Sequence, residues 1–267
     1  MKKLVKVMLS LMVLVLVLPA QLVSAKSDVE SIQKKGKIVF GTSAEFPPFE
    51  WVIMKDGKEE IVGVDVDLAQ KIADELGVEL EVNNMGFDSL IQSLKAGKID
   101  MILAGMNENE ERAKQVDFSI PYYESETYIV VPKDKLDTVT KPEDLEGLKV
   151  GTQKASVQET YLKESGIQMD IVSMPKNGTL VEALKAKKLD AIVMDSITVG
   201  EFLRKNEDVL AKVPNPIPGD GAGQCVAVNK GNETLLEVVN KVVKEAVEKD
   251  EIKQSIEKNL DLATSKE

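Results

Sequence analysis

The chain contains no histidine and a single cysteine, Cys225, among its 267 residues. Zinc sites use cysteine and histidine ligands, and an internal disulfide needs two cysteines, so the sequence predicts neither a metal site nor a disulfide. Cys225 lies in the apolar run CVAV, where a buried structural thiol is expected rather than a reactive one. Phosphate-loop and nucleophile-elbow motifs are also missing. We expect no metal and no cofactor.

Long apolar runs are scarce as well, apart from one at the N-terminus. The first 25 residues have a basic start, an apolar core from Val7 to Leu18 and then Pro19. This pattern is typical of a secretory signal peptide cleaved after Ala25, although an uncleaved anchor helix is the alternative. A membrane span needs roughly 20 apolar residues, which disfavours the anchor. Because a lipid-modified precursor would carry a cysteine at the cleavage site, we expect a secreted periplasmic or extracellular protein that is not a lipoprotein.

Basic residues are in the minority, with 34 lysines and arginines against 45 aspartates and glutamates and a net charge of −11. A chain of this sign is repelled by nucleic acid and by anionic membrane surfaces, so neither is expected as a partner. The charges are spread through helix-like segments rather than gathered in blocks. Most of them are therefore expected on solvated faces.

Short apolar runs alternate with helical periodicity along most of the chain. In the first periodic segment Leu68, Ile72 and Leu76 recur every four residues and Gly77 marks the end. Alternation of strands and helices predicts parallel sheets in an α/β fold. The runs are KIVFGT, VDLAQKIADELG, ELEVNN, DSLIQSLKAG and IDMILAG, and then LKVGTQ, VQETYLKESG, MDIVSM, GTLVEALKAKK and LDAIVMD.

The two halves of this pattern contain an internal repeat. LIQSLKAGKIDMILAGM from Leu90 aligns with LVEALKAKKLDAIVMDS from Leu180 at a constant offset of 90 residues. A short match can arise by chance between helix–strand units, but with the repeated alternation it favours two lobes of one design. The offset places Gly105 and Asp195 at equivalent strand ends. Because ligands of open parallel sheets bind beyond the carboxyl ends of the strands, we expect a cleft there.

Arg112 and Asp195 are the candidate charged groups of the cleft. A guanidinium presents a planar fork that suits a carboxylate, although Arg112 can instead pair with Glu108 or Glu111 on a solvated helix. Asp195 ends a buried strand, where an acid can also act only as the cap of the next helix. Opposed across a cleft, the two charges match a zwitterion.

Aromatic residues are few, with one tryptophan, four tyrosines and six phenylalanines. Phe46, Phe49 and Trp51 lie together in GTSAEFPPFEW, and Phe87 follows the second strand. Phe46 and Phe87 lie on loops at carboxyl ends of strands, where flat apolar faces can wall a cleft. We assign Phe49 to the core and keep Trp51 as a candidate cleft residue.

Six motifs occur in order along the chain: GTSAEFPPFEW, GVDVDLAQKIADELGVELEV, SLIQSLKAGKIDMILAGM, ERAKQVDFSIPYY, DLEGLKVGTQKASVQETYL and LDAIVMDS. Together they resemble the bacterial extracytoplasmic solute-binding proteins of family 3, which deliver polar amino acids to ABC importers. The resemblance runs from about Gly36 to Asn229. It implies a two-lobed α/β fold of the periplasmic-binding-protein type II, with a ligand cleft between the lobes and two crossover hinge strands, TYIVVPKD and GQCVAVNK.

The resemblance also implies how the chain is divided and which residues bind. The signal peptide covers residues 1–25, the first lobe 26–129, the second lobe 130–222 and a return to the first lobe 223–267. Arg112 takes the ligand α-carboxylate, Asp195 takes the α-ammonium, and Phe46 and Phe87 enclose the ligand side chain. The full predicted binding set is Ser43, Glu45, Phe46, Trp51, Phe87, Ala104, Gly105, Met106, Asn107, Arg112, Ser156, Val157, Gln158 and Asp195.

The function implied is capture of a free L-amino acid by a monomer and its delivery to the permease of an ABC importer. Glu45 and Glu50 favour a cationic ligand, arginine or lysine, if they face the cleft, but both can equally point to solvent, and glutamine and histidine stay open. The chain departs from the family pattern at Ser43, where an aspartate is common, and at Asn107 and Asn109, where hydroxyl residues are common. The alternative is a dehydratase of prephenate or arogenate on the same fold, with Glu45 as its general acid.

Overall fold

The computed structural model describes residues 28–217 and 223–265, so the predicted signal peptide lies outside the described residues. Within these ranges the strands form two five-stranded sheets and one three-stranded sheet. Helices pack on both five-stranded sheets, and each of these sheets is the centre of one lobe. The α/β architecture predicted from the alternation is confirmed.

The first lobe is built from two separate stretches of the chain. Its strands are β1 (Lys37–Thr42), β2 (Glu45–Phe46), β3 (Glu50–Lys55), β4 (Lys58–Val62), β5 (Glu79–Asn84), β6 (Met101–Ile102), β7 (Val116–Phe118) and β13 (Ala227–Asn229). Its helices are α1 (Val29–Lys35), α2 (Val64–Leu76), α3 (Leu90–Lys95), α4 (Glu110–Ala113), α8 (Glu233–Glu248) and α9 (Glu251–Ser265). The main sheet has the order β5-β1-β6-β13-β7, and β2, β3 and β4 form the small sheet.

The second lobe is continuous in sequence. Its strands are β8 (Thr127–Pro132), β9 (Lys149–Gln153), β10 (Asp170–Met174), β11 (Ala191–Asp195) and β12 (Leu210–Lys212), and its helices are α5 (Val157–Glu164), α6 (Asn177–Lys185) and α7 (Ser196–Arg204). The sheet order is β10-β9-β11-β8-β12. In each lobe one strand, β13 or β8, is antiparallel to both of its neighbours, so the two sheets share one topology.

The chain passes from the first lobe to the second and later returns. The first strand after each passage is one of these antiparallel strands, β8 or β13. Strand β8 lies wholly in the second sheet, where Thr127 pairs with Asp195. The predicted boundary at residue 129 would cut this strand, so the chain changes lobes before Thr127. The chain has therefore already entered the second lobe where the TYIVVP segment begins. This segment forms β8, which lies between β11 and β12 in the second sheet. On the return, Ile217 still pairs with Thr127 of the second lobe, and Gln224 pairs with Asn107 and Tyr123 of the first.

Helix α2 shows how the local sequence sets these elements. Its buried side chains recur along one face, as the spacing of Leu68 and Ile72 predicts, and Gly77 ends it in the left-handed conformation at φ 69°. At its start, Gly63 has φ 137°, and a Cβ there would lie 2.0 Å from the carbonyl oxygen of Phe49. Only glycine permits this close approach, which holds the first turn of α2 against the start of β3.

Each five-stranded sheet is buried on both faces. Along β8, Tyr128 and Val130 belong to one apolar cluster, whereas Ile129 and Val131 belong to the cluster on the opposite face. This alternation follows the pleat of the strand, whose successive side chains point to opposite sides. A sheet covered on both faces explains why its strands appear in the sequence as nearly continuous apolar runs.

The repeat found in the sequence extends to packing. Asp100 accepts a hydrogen bond from the Val39 N–H at 2.8 Å, and Asp190, its equivalent at the offset of 90, accepts one from the Lys149 N–H at 3.0 Å. A glycine follows two residues after Val39 and two residues after Lys149 in these strands. Each of these glycines packs closely against side chains of the repeated helix–strand unit. In the second lobe this is Gly151, where a Cβ would lie 2.5 Å from the Leu189 side chain.

We expect Gly151→Ala to destabilise the protein by about 1–3 kcal/mol, because the added methyl overfills a close-packed core. It would meet side chains of Leu180, Leu189 and Ile192 within 3.0 Å. Gly200→Ala, in the same lobe, is the control: nothing lies within 4 Å of its Cβ position, and alanine is the better helix former by about 1 kcal/mol. Urea unfolding measures both, and equal stabilities of the two variants would contradict the packing argument.

Candidate functional site

A cavity lies between the two lobes, at the carboxyl ends of their strands. Twelve of the fourteen predicted site residues line it. They are Ser43, Glu45, Phe46, Phe87, Ala104, Gly105, Asn107 and Arg112 from the first lobe, and Ser156, Val157, Gln158 and Asp195 from the second. The two lobes therefore contribute together to one site, at the place that the repeat predicts.

Arg112 is the buried cation of this site, with 6% of its surface exposed. It lies in the short helix α4, whose N-cap Asn109 accepts a hydrogen bond from the Arg112 N–H at 2.8 Å. Its guanidinium donates to the carbonyl of Asn107 at 2.5 Å and, across the cleft, to the carbonyl of Ala155 at 2.7 Å. The Phe87 ring lies 5.4 Å from the guanidinium carbon, a cation–π distance. Packing and hydrogen bonds thus fix the guanidinium plane.

The alternative role of Arg112, an ion pair with its acidic neighbours, is not observed in the described part of the chain. Glu111 pairs with Lys114 instead. Burial lowers the pKa of Arg112 to about 10, so the group stays charged at neutral pH. A guanidinium has five N–H donors, and the two carbonyl contacts leave others to meet an anionic group in the cavity.

Asp195 lies opposite, at the end of β11. One carboxyl oxygen accepts a hydrogen bond from the Ile197 N–H at 2.8 Å, which caps helix α7, and the other accepts from the Ser125 hydroxyl. The capping role considered from the sequence is therefore present. Asp195 also lines the cavity, so the cap does not remove its carboxylate from the site. Burial is the main cause that raises the pKa of Glu50 and of Tyr123. The negative charge of Asp195 raises both pKa values further.

The second lobe also supplies backbone donors. Helix α5 begins at Val157 behind the N-cap Ser156, whose hydroxyl accepts from the Glu159 N–H at 3.1 Å. Ser156, Val157 and Gln158 all line the cavity, so the first turn of the helix faces it. Free N–H groups at a helix start favour negative charge. They lie beside Ala155, the residue that Arg112 contacts, which gives the site one anion-binding side.

Two aromatic rings wall the cavity as predicted. Phe46 stacks on Phe49 with ring centroids 5.2 Å apart, and Phe49 itself is fully buried, as its assignment to the core requires. Gly105 has φ +57°, and a Cβ there would lie 2.6 Å from the Phe46 ring. Glycine is needed at this position for both reasons. Phe87 lies against the Arg112 guanidinium and is nearly buried.

Trp51 and Met106 are the two predicted residues that do not line the cavity. Trp51 follows Glu50 in β3, where it pairs with Val62, and the pleat directs successive side chains to opposite faces. Met106 is 1% exposed and belongs to an apolar cluster of the first lobe. The left-handed turn at Gly105 separates it from the strand, so adjacency in sequence does not bring its side chain to the site.

Glu45 does not stand alone in the cavity wall. It forms an ion pair with Lys176 of the second lobe. A second ion pair across the cleft joins Asp88 to Lys154 at 2.7 Å. The dehydratase alternative assigns Glu45 the role of a proton donor, but an ion-paired carboxylate is arranged to accept hydrogen bonds rather than to give up a proton.

Five residues that line the cavity were not considered from the sequence: Gln153, Asn177, Val193, Met194 and Thr198. Glu50, which also lines it, was considered as facing either the ligand or solvent and was left out of the predicted set. Gln153 ends β9, so the strand-end rule could have found it. The repeat could have found Met194 and Asn177, which lie 90 residues after the predicted residues Ala104 and Phe87, whereas no such signal identifies Val193 or Thr198. Within residues 28–217 and 223–265 no cluster of histidine, cysteine or acidic residues is arranged to hold a metal ion, and no helix has the length and apolar character of a membrane crossing.

Glu50 belongs to a buried polar group beneath the cavity. Asp65, in the first turn of α2, accepts hydrogen bonds from the Tyr122 hydroxyl at 2.8 Å and from the Gly105 N–H at 3.2 Å. Burial raises the pKa of Asp65 to about 6 and, with the nearby charge of Asp65, raises that of Glu50 well above its usual value. A second acidic layer thus lies behind the residues that face the cavity.

Comparison with known proteins matches residues 38–261 to the bacterial extracellular solute-binding proteins, family 3. The arginine-binding extracellular protein ArtP of Bacillus subtilis is 36% identical over 233 residues, covering 86% of this chain and 88% of that protein. A probable histidine-binding protein of Campylobacter jejuni is also 36% identical, over 77% of this chain and 78% of its own length.

Solved structures agree with the fold. The amino acid ABC transporter substrate-binding protein AbpA of Streptococcus pneumoniae, bound to L-arginine, superposes with a TM-score of 0.84 at 38% identity, covering 88% of this chain and 98% of that one. The arginine-binding protein of T. maritima in its holo form gives 0.75 at 39% identity, over 81% and 92%. These relatives are transport proteins that bind substrate, which favours binding over the dehydratase alternative. With its fold, its cleft and these similarities in agreement, the chain belongs to family 3 of the bacterial extracellular solute-binding proteins.

Proposed function

We propose that this protein binds L-arginine between its lobes and delivers it to the permease of an ABC importer. The observation that carries the proposal is the opposition of Arg112 and Asp195 across a cavity walled by Phe46 and Phe87. A cation on one side and an anion on the other match the α-carboxylate and α-ammonium of a free amino acid. The aromatic faces suit the flat guanidinium of an arginine side chain, which stacks on such rings.

The charge around the cavity supports a cationic ligand. Asp195 lies in its wall, Asp65 lies behind it, and the whole chain carries a net charge of −11. An acidic surface raises the local concentration of a cation and repels acidic amino acids. Relatives that bind arginine, such as the B. subtilis and S. pneumoniae proteins, agree with this choice of ligand.

The remaining parts of the proposal follow from the family. The protein acts outside the cytoplasmic membrane, in the periplasm or the extracellular space, after cleavage of its signal peptide, and it works as a monomer. Closure of the lobes on the ligand is the event that the permease recognises, and the ligand can drive closure only by binding the closed state more tightly. The amino acid is released unchanged, so the protein is not an enzyme.

A ligand panel tests the proposal. Ligand-free protein prepared by unfolding and refolding is titrated by calorimetry with L-arginine, L-lysine, L-histidine, L-glutamine and L-cystine. L-citrulline, which has arginine's shape without its side-chain charge, and agmatine, which lacks the α-carboxylate, separate the two ends of the site. We expect L-arginine to bind most tightly, citrulline weakly and agmatine not measurably. Preference for a neutral amino acid would overturn the choice of arginine, and turnover of prephenate would overturn the non-enzymatic role.

We expect Arg112→Ala to weaken L-arginine binding at least about 100-fold, because a desolvated carboxylate loses a charged, hydrogen-bonded partner worth several kcal/mol. Arg204→Ala is the matched control, since Arg204 pairs with Glu201 on helix α7 and does not line the cavity. Calorimetry gives both dissociation constants. A change of less than threefold in the Arg112 variant, or equal effects of the two substitutions, contradicts the assignment.

We expect Asp195→Asn to weaken binding by roughly tenfold or more while leaving the melting temperature nearly unchanged. Asparagine also caps helices, so the bond to the Ile197 N–H is retained, and its amide N–H can donate to the Ser125 hydroxyl, which now donates to Asp195. Asp28→Asn makes the same change at the N-cap of α1, far from the cavity, and should alter neither quantity. A lower melting temperature with unchanged affinity would mean that Asp195 acts only as a cap.

A further inference from the structure

Two carboxyl groups, Glu50 and Asp65, are buried behind the same wall of the cavity. The Asp65 N–H donates to the carbonyl of Phe49 at 2.9 Å, which places the first turn of α2 beside the start of β3. Asp65 is supported by the Tyr122 hydroxyl and the Gly105 N–H. No donor from the described residues reaches either carboxyl oxygen of Glu50. A fully buried carboxyl that receives no hydrogen bond is costly if it is ionised.

Within the ranges that the structure describes, the titratable groups that act on this pair are acids, a hydroxyl and a thiol. Burial, and then the charges of Asp65 and Asp195, raise the pKa of Glu50, and burial with the charge of Asp65 raises that of Tyr122. Burial also raises the pKa of Cys225, near Tyr122, to about 11, so this thiol is neutral. Among the described residues, no ion pair includes Glu50 or Asp65 (Arg112, the buried cation of the site, contacts carbonyls elsewhere). Two neighbouring carboxyl groups in an apolar setting cannot both ionise, so they hold at least one proton between them.

We propose that Glu50 and Asp65 share a proton, hold the Gly105 peptide in position through Asp65, and release a second proton when the amino acid binds. This inference rests on the proposed function, since it assumes a cationic ligand group beside Asp195. Glu50 and Asp65 are positioning residues: Asp65 acts through the Gly105 N–H, whose peptide lines the cavity. Neither needs to contact the ligand.

Ligand binding is expected to release a proton rather than take one up, because the ligand group beside Asp195 is positively charged. Near neutral pH Glu50 carries the shared proton and Asp65 is ionised, so Asp65 is a strong acceptor for the Gly105 N–H and the Tyr122 hydroxyl. Burial raises the pKa of Asp65 to about 6, and below that pH a second proton enters the pair and removes its negative charge. A ligand ammonium at Asp195 favours the ionised form. Binding near pH 6 therefore breaks the Asp65 O–H bond and passes the proton to the buffer.

The test is calorimetry of L-arginine binding at pH 6.0 in two buffers with different ionisation enthalpies, repeated at pH 7.5. For the unaltered protein we expect release of on the order of half a proton at pH 6.0 and much less at pH 7.5. Affinity should fall several-fold between pH 7.5 and pH 5.5. Asp65→Asn should bind more weakly, with no proton release and a flat pH profile. Glu50→Gln, whose amide donates to Asp65, should keep Asp65 ionised and lower the release while retaining most of the affinity.

Asp100→Asn is the matched control, because Asp100 is an equally buried acid of the first lobe that is paired with Lys35 away from the cavity. It should keep the proton release of the unaltered protein. Binding at pH 6.0 with a heat that does not depend on the buffer overturns the inference, as does release that persists in Asp65→Asn, which would assign the proton to Asp195. Absence of amino-acid binding at pH 7.5 identifies the proposed function as the failure. Circular dichroism checks that each variant is folded. If Asp65→Asn does not fold, the proton release of Glu50→Gln tests the inference instead.

Discussion

The guanidinium of Arg112 is the interaction on which the arrangement of the two lobes depends. It is buried, it keeps its charge at neutral pH, and it donates to the carbonyls of Asn107 in one lobe and Ala155 in the other. Carbonyl oxygens solvate part of a buried cation but do not neutralise it. The lobes thus meet around a positive charge with donors directed at the cavity, and this charge selects an anionic group as the natural partner within the site.

The two lobes repeat one design but have diverged where they face each other. The buried acids Asp100 and Asp190 accept equivalent backbone hydrogen bonds, which shows that the helix–strand unit was kept in both. At the following strand ends the repeat places Gly105 in one lobe and Asp195 in the other. Gly105 lets the Phe46 ring lie against the backbone, whereas Asp195 brings a carboxylate. Divergence at this aligned position therefore lets the first lobe pack an aromatic ring against its backbone and gives the second lobe a carboxylate.

Much of the fold could be predicted from the sequence, because apolar spacing and glycine stops are local signals, as in helix α2. The strand-end rule and the family resemblance also brought together most of the site. Non-local pairing was beyond prediction: nothing in the sequence indicates that Lys176 engages Glu45, 131 residues away, or that Asp65 lies under Gly105. Met106 shows a different limit, since a single left-handed residue before it turned its side chain into the core.

The balance between open and closed lobes follows from the strength of the contacts across the cleft. The ion pairs Asp88–Lys154 and Glu45–Lys176 are partly exposed, with both lysine side chains more than half exposed, and such pairs contribute about 0–1 kcal/mol each. The hydrogen bond from Arg112 to Ala155 has a charged donor and contributes more, about 1.5–3 kcal/mol. A total of a few kcal/mol leaves the free protein able to open. A ligand that joins Arg112 in one lobe to Asp195 in the other supplies charged bonds to both at once, and these exist only when the lobes are closed.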